Sequence, residues 1–366
     1  MEQQSGQEVR RLRSLYEAFG YTRFSMRRFE EYALYLENKS FLKSESVLTF
    51  TNPDGKLMAL KPDVTLSIVK HARSEREGIE RVYYNESVYR LAPTAREFVE
   101  IEQIGVEVMG ALDQYVVSEA VRLAIESLRI IGGEYVLDVS HMGFAGGLME
   151  AAGLTAEQKA RLFTIIRRKS AHELAKAIEE EKIASFYADR IAQLAGLSGK
   201  FEETLARAEK IAVSNEMEQA LEELRELYRT LDAAGLADCV RLDFSILNDL
   251  DYYNGIVFQG YVQGVPRAVL SGGRYDNLMR KFGKAGDGIG FALYLDEVAR
   301  LLAAPRELDA DVLALYTAAD DVAKVNAAVF ALASQGQRVF AACEQPADFR
   351  AGRIIRFDGE AFKEVE

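Results

Sequence analysis

The chain is poor in cysteine and histidine, short of positive charge, and without any long hydrophobic run. Its two cysteines, Cys239 and Cys343, stand far apart and outside any Cys-x-x-Cys spacing, which indicates neither a disulfide framework nor a zinc ribbon. Its three histidines, His71, His141 and His172, are isolated from one another, so each reads as structural and a zinc enzyme is disfavoured. Lys and Arg number 45 against 57 Asp and Glu, a net charge of −12. Such a balance gives no whole-protein attraction to phosphate backbones or anionic membranes. No apolar run approaches the ~18 residues of a membrane span, and the N-terminus, opening Glu2-Gln3-Gln4, lacks the apolar core of a signal peptide. Gly-x-x-x-x-Gly-Lys-Ser/Thr is missing, Gly-x-Ser-x-Gly is missing, and Gly286-Asp287-Gly288-Ile289-Gly290 has the wrong spacing for a dinucleotide fingerprint. A soluble, unexported protein of a reducing cytoplasm is expected, with no metal, no cofactor and no membrane partner.

What is present is ample apolar content, 49% of 366 residues, enough for one large domain and a small one. Leu12, Leu15, Tyr16 and Phe19 recur at helical spacing, predicting a helix from Val9 that ends at Gly20, with a second helix through Glu31. Val47–Phe50 and Leu57–Leu60 flank Asn52-Pro53-Asp54-Gly55 and predict a β-hairpin. Pro62 suits the first position of a following helix. Arg81–Arg90 and Phe98–Val108, rich in Val, Ile, Tyr and Phe, predict a long antiparallel pair in a large sheet. A helix over Tyr115–Ile130 and a strand over Tyr135–Val139 come next. From about 153 to 235 the composition turns to Ala, Leu, Glu and Lys, a helical block opened by the capping box Thr155/Gln158. Strands are expected again at Val240–Phe244, Tyr252–Tyr261, Arg267–Leu270 and Gly288–Phe291, with a turn at Gly272-Gly273 and a helix over Leu293–Leu302. The block therefore looks inserted into one sheet domain, residues 1–304. Beyond Pro305, residues 305–366 read as a small β-α-β-β unit.

Polar residues collect where a half-buried sheet would prefer apolar ones: Leu60-Lys61-Pro62-Asp63-Val64-Thr65, Ser87-Val88-Tyr89-Arg90, Glu102-Gln103-Ile104-Gly105-Val106-Glu107 and Leu250-Asp251-Tyr252-Tyr253-Asn254-Gly255. Together with Ser271-Gly272-Gly273-Arg274-Tyr275-Asp276-Asn277-Leu278 and Gly288-Ile289-Gly290-Phe291-Ala292, this ordered set resembles the catalytic domain of class II histidyl-tRNA synthetases and their paralogues, over about Val9 to Ala303. The resemblance implies an α+β fold: an antiparallel sheet flanked by helices, the inserted helical block, and a C-terminal unit resembling a reduced anticodon-binding domain. It also implies a histidine pocket. Asp63, Thr65 and Gln103 would hold the ammonium group, and Glu107, Tyr252 and Tyr253 the imidazole, a division that suits acceptors for N–H groups and aromatic faces for a flat ring.

The departures concern ATP. The family supplies three arginines to the nucleotide; the first is matched by Arg90, whereas Asn248 and Glu297 stand where the other two belong. Exchanging an attractive for a repulsive contact at about 4 Å changes the interaction by roughly 8 kcal/mol at an effective dielectric near 20, far above the ~1.4 kcal/mol that costs tenfold in rate. ATP activation is expected to be lost, and no catalytic residue is assigned. The loop Leu91–Arg96 is short and weakly basic, the proline of the first family motif is missing around Ser25–Arg28, and the C-terminal unit is reduced, so tRNA is not an expected partner. A chain that keeps the amino-acid pocket and loses the nucleotide clamp is similar to the regulatory subunits of ATP phosphoribosyltransferase in histidine biosynthesis. That likeness implies a short-form catalytic subunit as partner, a homodimer within a hetero-octamer, histidine as effector, and a requirement for this chain in catalysis and feedback control. The alternatives are an active histidyl-tRNA synthetase, a stand-alone histidine sensor, or a ligase acting on another acceptor.

Overall fold

The computed structural model describes residues 2–36, 47–72, 78–91, 97–247, 252–302 and 308–365. The chain divides into two compact units, Met1–Leu302 and Ala303–Glu366.

In the first unit the strands are β1 (Thr22–Arg23), β2 (Phe29–Glu31), β3 (Thr49–Thr51), β4 (Leu57–Leu60), β5 (Ile79–Leu91), β6 (Phe98–Gly110), β7 (Tyr135–His141), β8 (Ser198–Lys200), β9 (Val240–Asp243), β10 (Ile256–Val262), β11 (Leu270–Arg274) and β12 (Asp287–Tyr294). Nine of them form one sheet in the order β1-β5-β6-β12-β11-β10-β7-β9-β8, and β2-β4-β3 form a second, small one. The centre of the large sheet is antiparallel; β1 joins β5 and β9 joins β7 in parallel. Helices Ala156–Arg167, Ala171–Glu180, Ser185–Ala195, Phe201–Glu209 and Asn215–Ala233 lie between β7 and β9 in sequence, and Thr155 and Gln158 form the capping box reciprocally.

Side-chain alternation along the central strands divides the sheet into two faces. Ile104, Val106 and Val108 of β6 and Ile289, Phe291 and Leu293 of β12 enter one core with the long helix Gln114–Ile131. The other face carries Val82, Tyr84 and Val88 of β5, Tyr275, and the helix Thr65–His71, in a second core. Gln103 and Glu107 point to this second face and are nevertheless almost fully buried, at 3% and 2% exposure.

Four local expectations are corrected. No helix reaches Glu31: Thr22–Arg23 and Phe29–Glu31 are strands, because Thr22 and Arg23 pair with Val82 and Tyr83, and Phe29–Glu31 with Met58–Leu60. The helix expected from Pro62 begins at Thr65, since the Asp63 carboxylate accepts the Leu66 N–H at 2.9 Å and so serves the helix start from outside it. Tyr252–Gly255 precede β10 instead of belonging to it. Gly272 and Gly273 form no turn but lie inside β11, where Arg267–Leu270 had been expected to be the strand. A Cβ at Gly272 would stand 2.5 Å from Phe291 Cβ, and one at Gly273 2.7 Å from Tyr253 Cδ1, so glycine is there for close packing.

In the second unit β13 (Ala310–Leu315) lies between β14 (Val339–Ala342) and β15 (Ala351–Phe357), parallel to both, and β16 (Phe362–Glu364) adds an antiparallel edge. Helix Val322–Ser334 starts on Asp321, whose carboxylate accepts from the Ala323 and Lys324 N–H groups. Val312, Ala314 and Ile355 make its core with Val329 and Leu332 of that helix.

Candidate functional site

The site begins as a dent in the sheet. Cross-strand partners on the second face run in rows: Val82, Glu107, Gly290 and Gly273 in one; Tyr84, Gly105, Ala292 and Ser271 in the next; Glu86, Gln103 and Tyr294 in a third. Small residues in the middle of these rows hollow the surface, and larger ones stand around the hollow. The resulting cavity has a volume of about 260 Å³. This falls below the roughly 300–1,000 Å³ that accommodates drug-sized ligands.

Asp63, Thr65, Arg90, Gln103, Glu107, Tyr252 and Tyr253 all line this cavity. Asp63 arrives from the turn before helix Thr65–His71 and Thr65 from its first residue, Gln103 and Glu107 from β6, and Arg90 from the end of β5. The tyrosines come from the irregular approach to β10. In a regular strand consecutive side chains face opposite ways. Leaving the strand lets both Tyr252 and Tyr253 face the cavity, their ring centroids 4.5 Å apart and tilted by 53°. Asn254 fixes this approach: its N–H donates to the Arg274 carbonyl at 3.1 Å and its amide donates to Asp276 at 2.9 Å.

Glu107 is the chemical centre. Thr65 Oγ1 donates to its Oε1 and the Tyr275 hydroxyl to its Oε2, each at 2.6 Å. Burial pushes its pKa up to about 8, with the nearby Asp63 charge adding to the rise, although the two hydroxyl donors pull the other way. A Cβ at Gly290 would overlap the Glu107 carboxylate, so the glycine makes its seat possible. Burial also holds the phenols of Tyr84, Tyr252, Tyr253 and Tyr275 far above their ordinary pKa, which keeps them as hydrogen-bond donors.

Arg90 does not project freely. Its Nε donates to the Pro62 carbonyl at 2.7 Å, and a terminal nitrogen pairs with Asp63 at 3.3 Å. Glu297 lies off the cavity, in helix Leu295–Leu302, 3.7 Å from Arg267. Asn248 and the loop 92–96 lie outside the described residues. Tyr84, Ser271, Tyr275, Gly290 and Tyr294 line the cavity without having been singled out in the sequence as pocket residues. Their signal was available: Ser271 and Tyr275 belong to the quoted Ser-Gly-Gly-Arg-Tyr segment, and Gly290 and Tyr294 share the alternation of β12.

Among the described residues no cluster of His, Cys, Asp and Glu is able to hold a metal ion, and no helix is long and apolar enough to cross a membrane.

The histidyl-tRNA synthetase family model matches residues 3–298. Relatives named ATP phosphoribosyltransferase regulatory subunit include one from Desulfitobacterium hafniense strain Y51, 31% identical over 301 residues, which cover 81% of this chain and 77% of that one. Another, from Acetivibrio thermocellus, is 28% identical over 297 residues, 80% of this chain and 71% of that one. Among solved structures, the fold is shared with an ATP phosphoribosyltransferase regulatory subunit/histidyl-tRNA synthetase from Bacillus halodurans, at a TM-score of 0.79 and 21% identity over 97% of this chain and 94% of that one. It is shared too with a chain of an ATP phosphoribosyl transferase complex from Thermotoga maritima, at a TM-score of 0.63 and 17% identity over 80% of this chain and 97% of that one. The chain belongs to the ATP phosphoribosyltransferase regulatory subunits, a family built on the histidyl-tRNA synthetase fold.

Proposed function

We propose that the chain binds free histidine in the cavity around Glu107 and acts, without catalysis of its own, on a short-form ATP phosphoribosyltransferase catalytic subunit. The observation that carries this reading is Glu107 itself, a buried carboxyl with a pKa near 8, flanked by hydroxyls and aromatic faces. A buried carboxyl poised near neutrality between hydroxyl donors suits an imidazole, which exchanges a proton in the same range. Within the same cavity Asp63, Thr65 and Gln103 offer acceptors for an ammonium group, and Arg90 offers donors for a carboxylate. A free amino acid carries both.

Nucleotide chemistry is not supported by the same residues. Arg90 is the one cation among the lining residues described, and it is engaged by Asp63 and Pro62. Glu297 brings a carboxylate to the position where the synthetases carry an arginine. The chain is therefore assigned to feedback control and activation in the first step of histidine biosynthesis. Its assembly as a homodimer within a hetero-octamer, its cytoplasmic location and its indifference to tRNA belong to the same reading.

The test is calorimetric titration of the full chain with L-histidine, paired with ATP–pyrophosphate exchange. Saturable one-site binding without histidine-dependent exchange supports the reading. Exchange above background makes the chain a synthetase and overturns it.

A further inference from the structure

Tyr294 is unused by the histidine reading, yet it lines the same cavity, in the last row of β6 and β12 that contributes to the lining, with only Arg90 reaching in from beyond it. Along β12 it lies four residues beyond Gly290, the cross-strand partner of Glu107, which places it about 13 Å from the Glu107 row at ~3.3 Å per residue. In β5, Arg90 pairs with Val99, two rows further on than Glu86 and Gln103, which share the row of Tyr294. Tyr294 thus stands in register between Glu107 and Arg90. Its backbone is fixed, the N–H donating to the Val269 carbonyl at 2.8 Å, and Ser271, one row away on β11, lines the same cavity. Immediately after it, the first turn of helix Leu295–Leu302 presents Asp296 and Glu297, carboxylates that offset the positive helix start.

We infer that Tyr294, beside Ser271, is the specificity-determining end wall of the pocket, admitting an amino acid with a free carboxylate and excluding one extended at that carboxylate. The inference rests on the proposed histidine site and adds its ligand limit. With the imidazole at Glu107, the carboxyl end of the amino acid points along the strands toward Tyr294 and Arg90. The phenol hydroxyl and the guanidinium then face a charged carboxylate that they complement. An ester or a mixed anhydride at that carbon loses the charge and must pass through the ring. The wall distinguishes a sensor of the free metabolite from a site that carries an activated one.

The experiment is calorimetry on the full chain with three probes: L-histidine, L-histidinamide and L-histidine benzyl ester. The wild-type chain is expected to prefer histidine over the benzyl ester by about a hundredfold or more. Tyr294→Ala should cut that preference by about tenfold, because the wall is gone. Tyr294→Phe should still reject the ester, but lose about fivefold of the preference for histidine over histidinamide, because the hydroxyl is gone. Tyr294→Leu repeats the opening in milder form should the alanine variant not fold. Histidine binding with ester rejection unchanged in Tyr294→Ala, or in Tyr294→Leu where that variant is used, overturns the inference alone. No histidine binding by the wild-type chain overturns the histidine site and, with it, the wall.

Discussion

Thr65 and Glu107 are 42 residues apart in sequence, and their side chains meet at 2.6 Å. The hydroxyl stands at the first turn of a helix packed on the sheet, the carboxylate on the sheet itself. Their bond joins the start of that helix to the sheet, and what occupies the space beside it has to satisfy the same carboxyl.

Glu107 makes stability depend on pH. Its folded pKa of about 8 lies above the ordinary 4.5, so the folded chain holds a proton that the unfolded chain releases. The associated stability is complete below about pH 4.5, declines between 4.5 and 8, and is gone above 8, with a slope of at most ~1.4 kcal/mol per pH unit. Denaturant titrations of the wild type and Glu107→Gln across this range should differ by that slope. Parallel profiles would show that the carboxyl is not held neutral. The glutamine variant should also bind histidine about a hundredfold more weakly, since a carboxylate–imidazole bond is charge-assisted.

Gly290→Ala tests the packing beneath that carboxyl. The added methyl overlaps the Glu107 carboxylate, so the side chain must swing or the strands must part. A loss of about 1–3 kcal/mol in stability is expected, together with loss of histidine binding, measured by chemical denaturation and calorimetry. Ala292, which already carries its Cβ in the neighbouring row, tolerates Ala292→Gly with a smaller effect on binding.

Arg90→Ala removes the partner of Asp63 and the donor to the Pro62 carbonyl. The guanidinium side chain is 38% exposed, so solvent screening keeps the stability cost below about 1 kcal/mol. Histidine affinity should fall by about tenfold or more, because the ligand carboxylate loses its cation. An affinity unchanged by the substitution would place the carboxylate elsewhere.

On the proposed reading, Glu297→Arg returns a cation to one of the two positions, with Asn248, at which the sequence departs from the synthetase pattern. ATP–pyrophosphate exchange should remain at background in this variant. Exchange appearing on this single change would show that the nucleotide seat is otherwise intact.

Much of the fold was legible because its signals are local and repeated. The pairing of Arg81–Arg90 with Phe98–Val108, the capping box at Thr155 and the helix Val322–Ser334 rest on periodicity and cap chemistry that act within a few residues. The errors fall where tertiary contacts overrule such signals. Thr22–Arg23 is a strand because β5 offers it a ladder, and the Gly272-Gly273 pair is strand because Phe291 and Tyr253 leave no room for a side chain. In the site, charged and aromatic residues announced themselves within family motifs. Tyr294 lies outside those motifs, and Gly290, though inside one, carried no pocket role there, since the importance of both lies in what stands across the sheet from them, a relation that only register discloses.

The most direct measurement is the turnover of a short-form ATP phosphoribosyltransferase catalytic subunit, alone and mixed with this chain, with and without L-histidine. A regulatory subunit with a working pocket should raise turnover on mixing, and histidine should suppress the mixture while Glu107→Gln relieves the suppression. Turnover that is the same with and without the chain, or histidine inhibition untouched by Glu107→Gln, would contradict it.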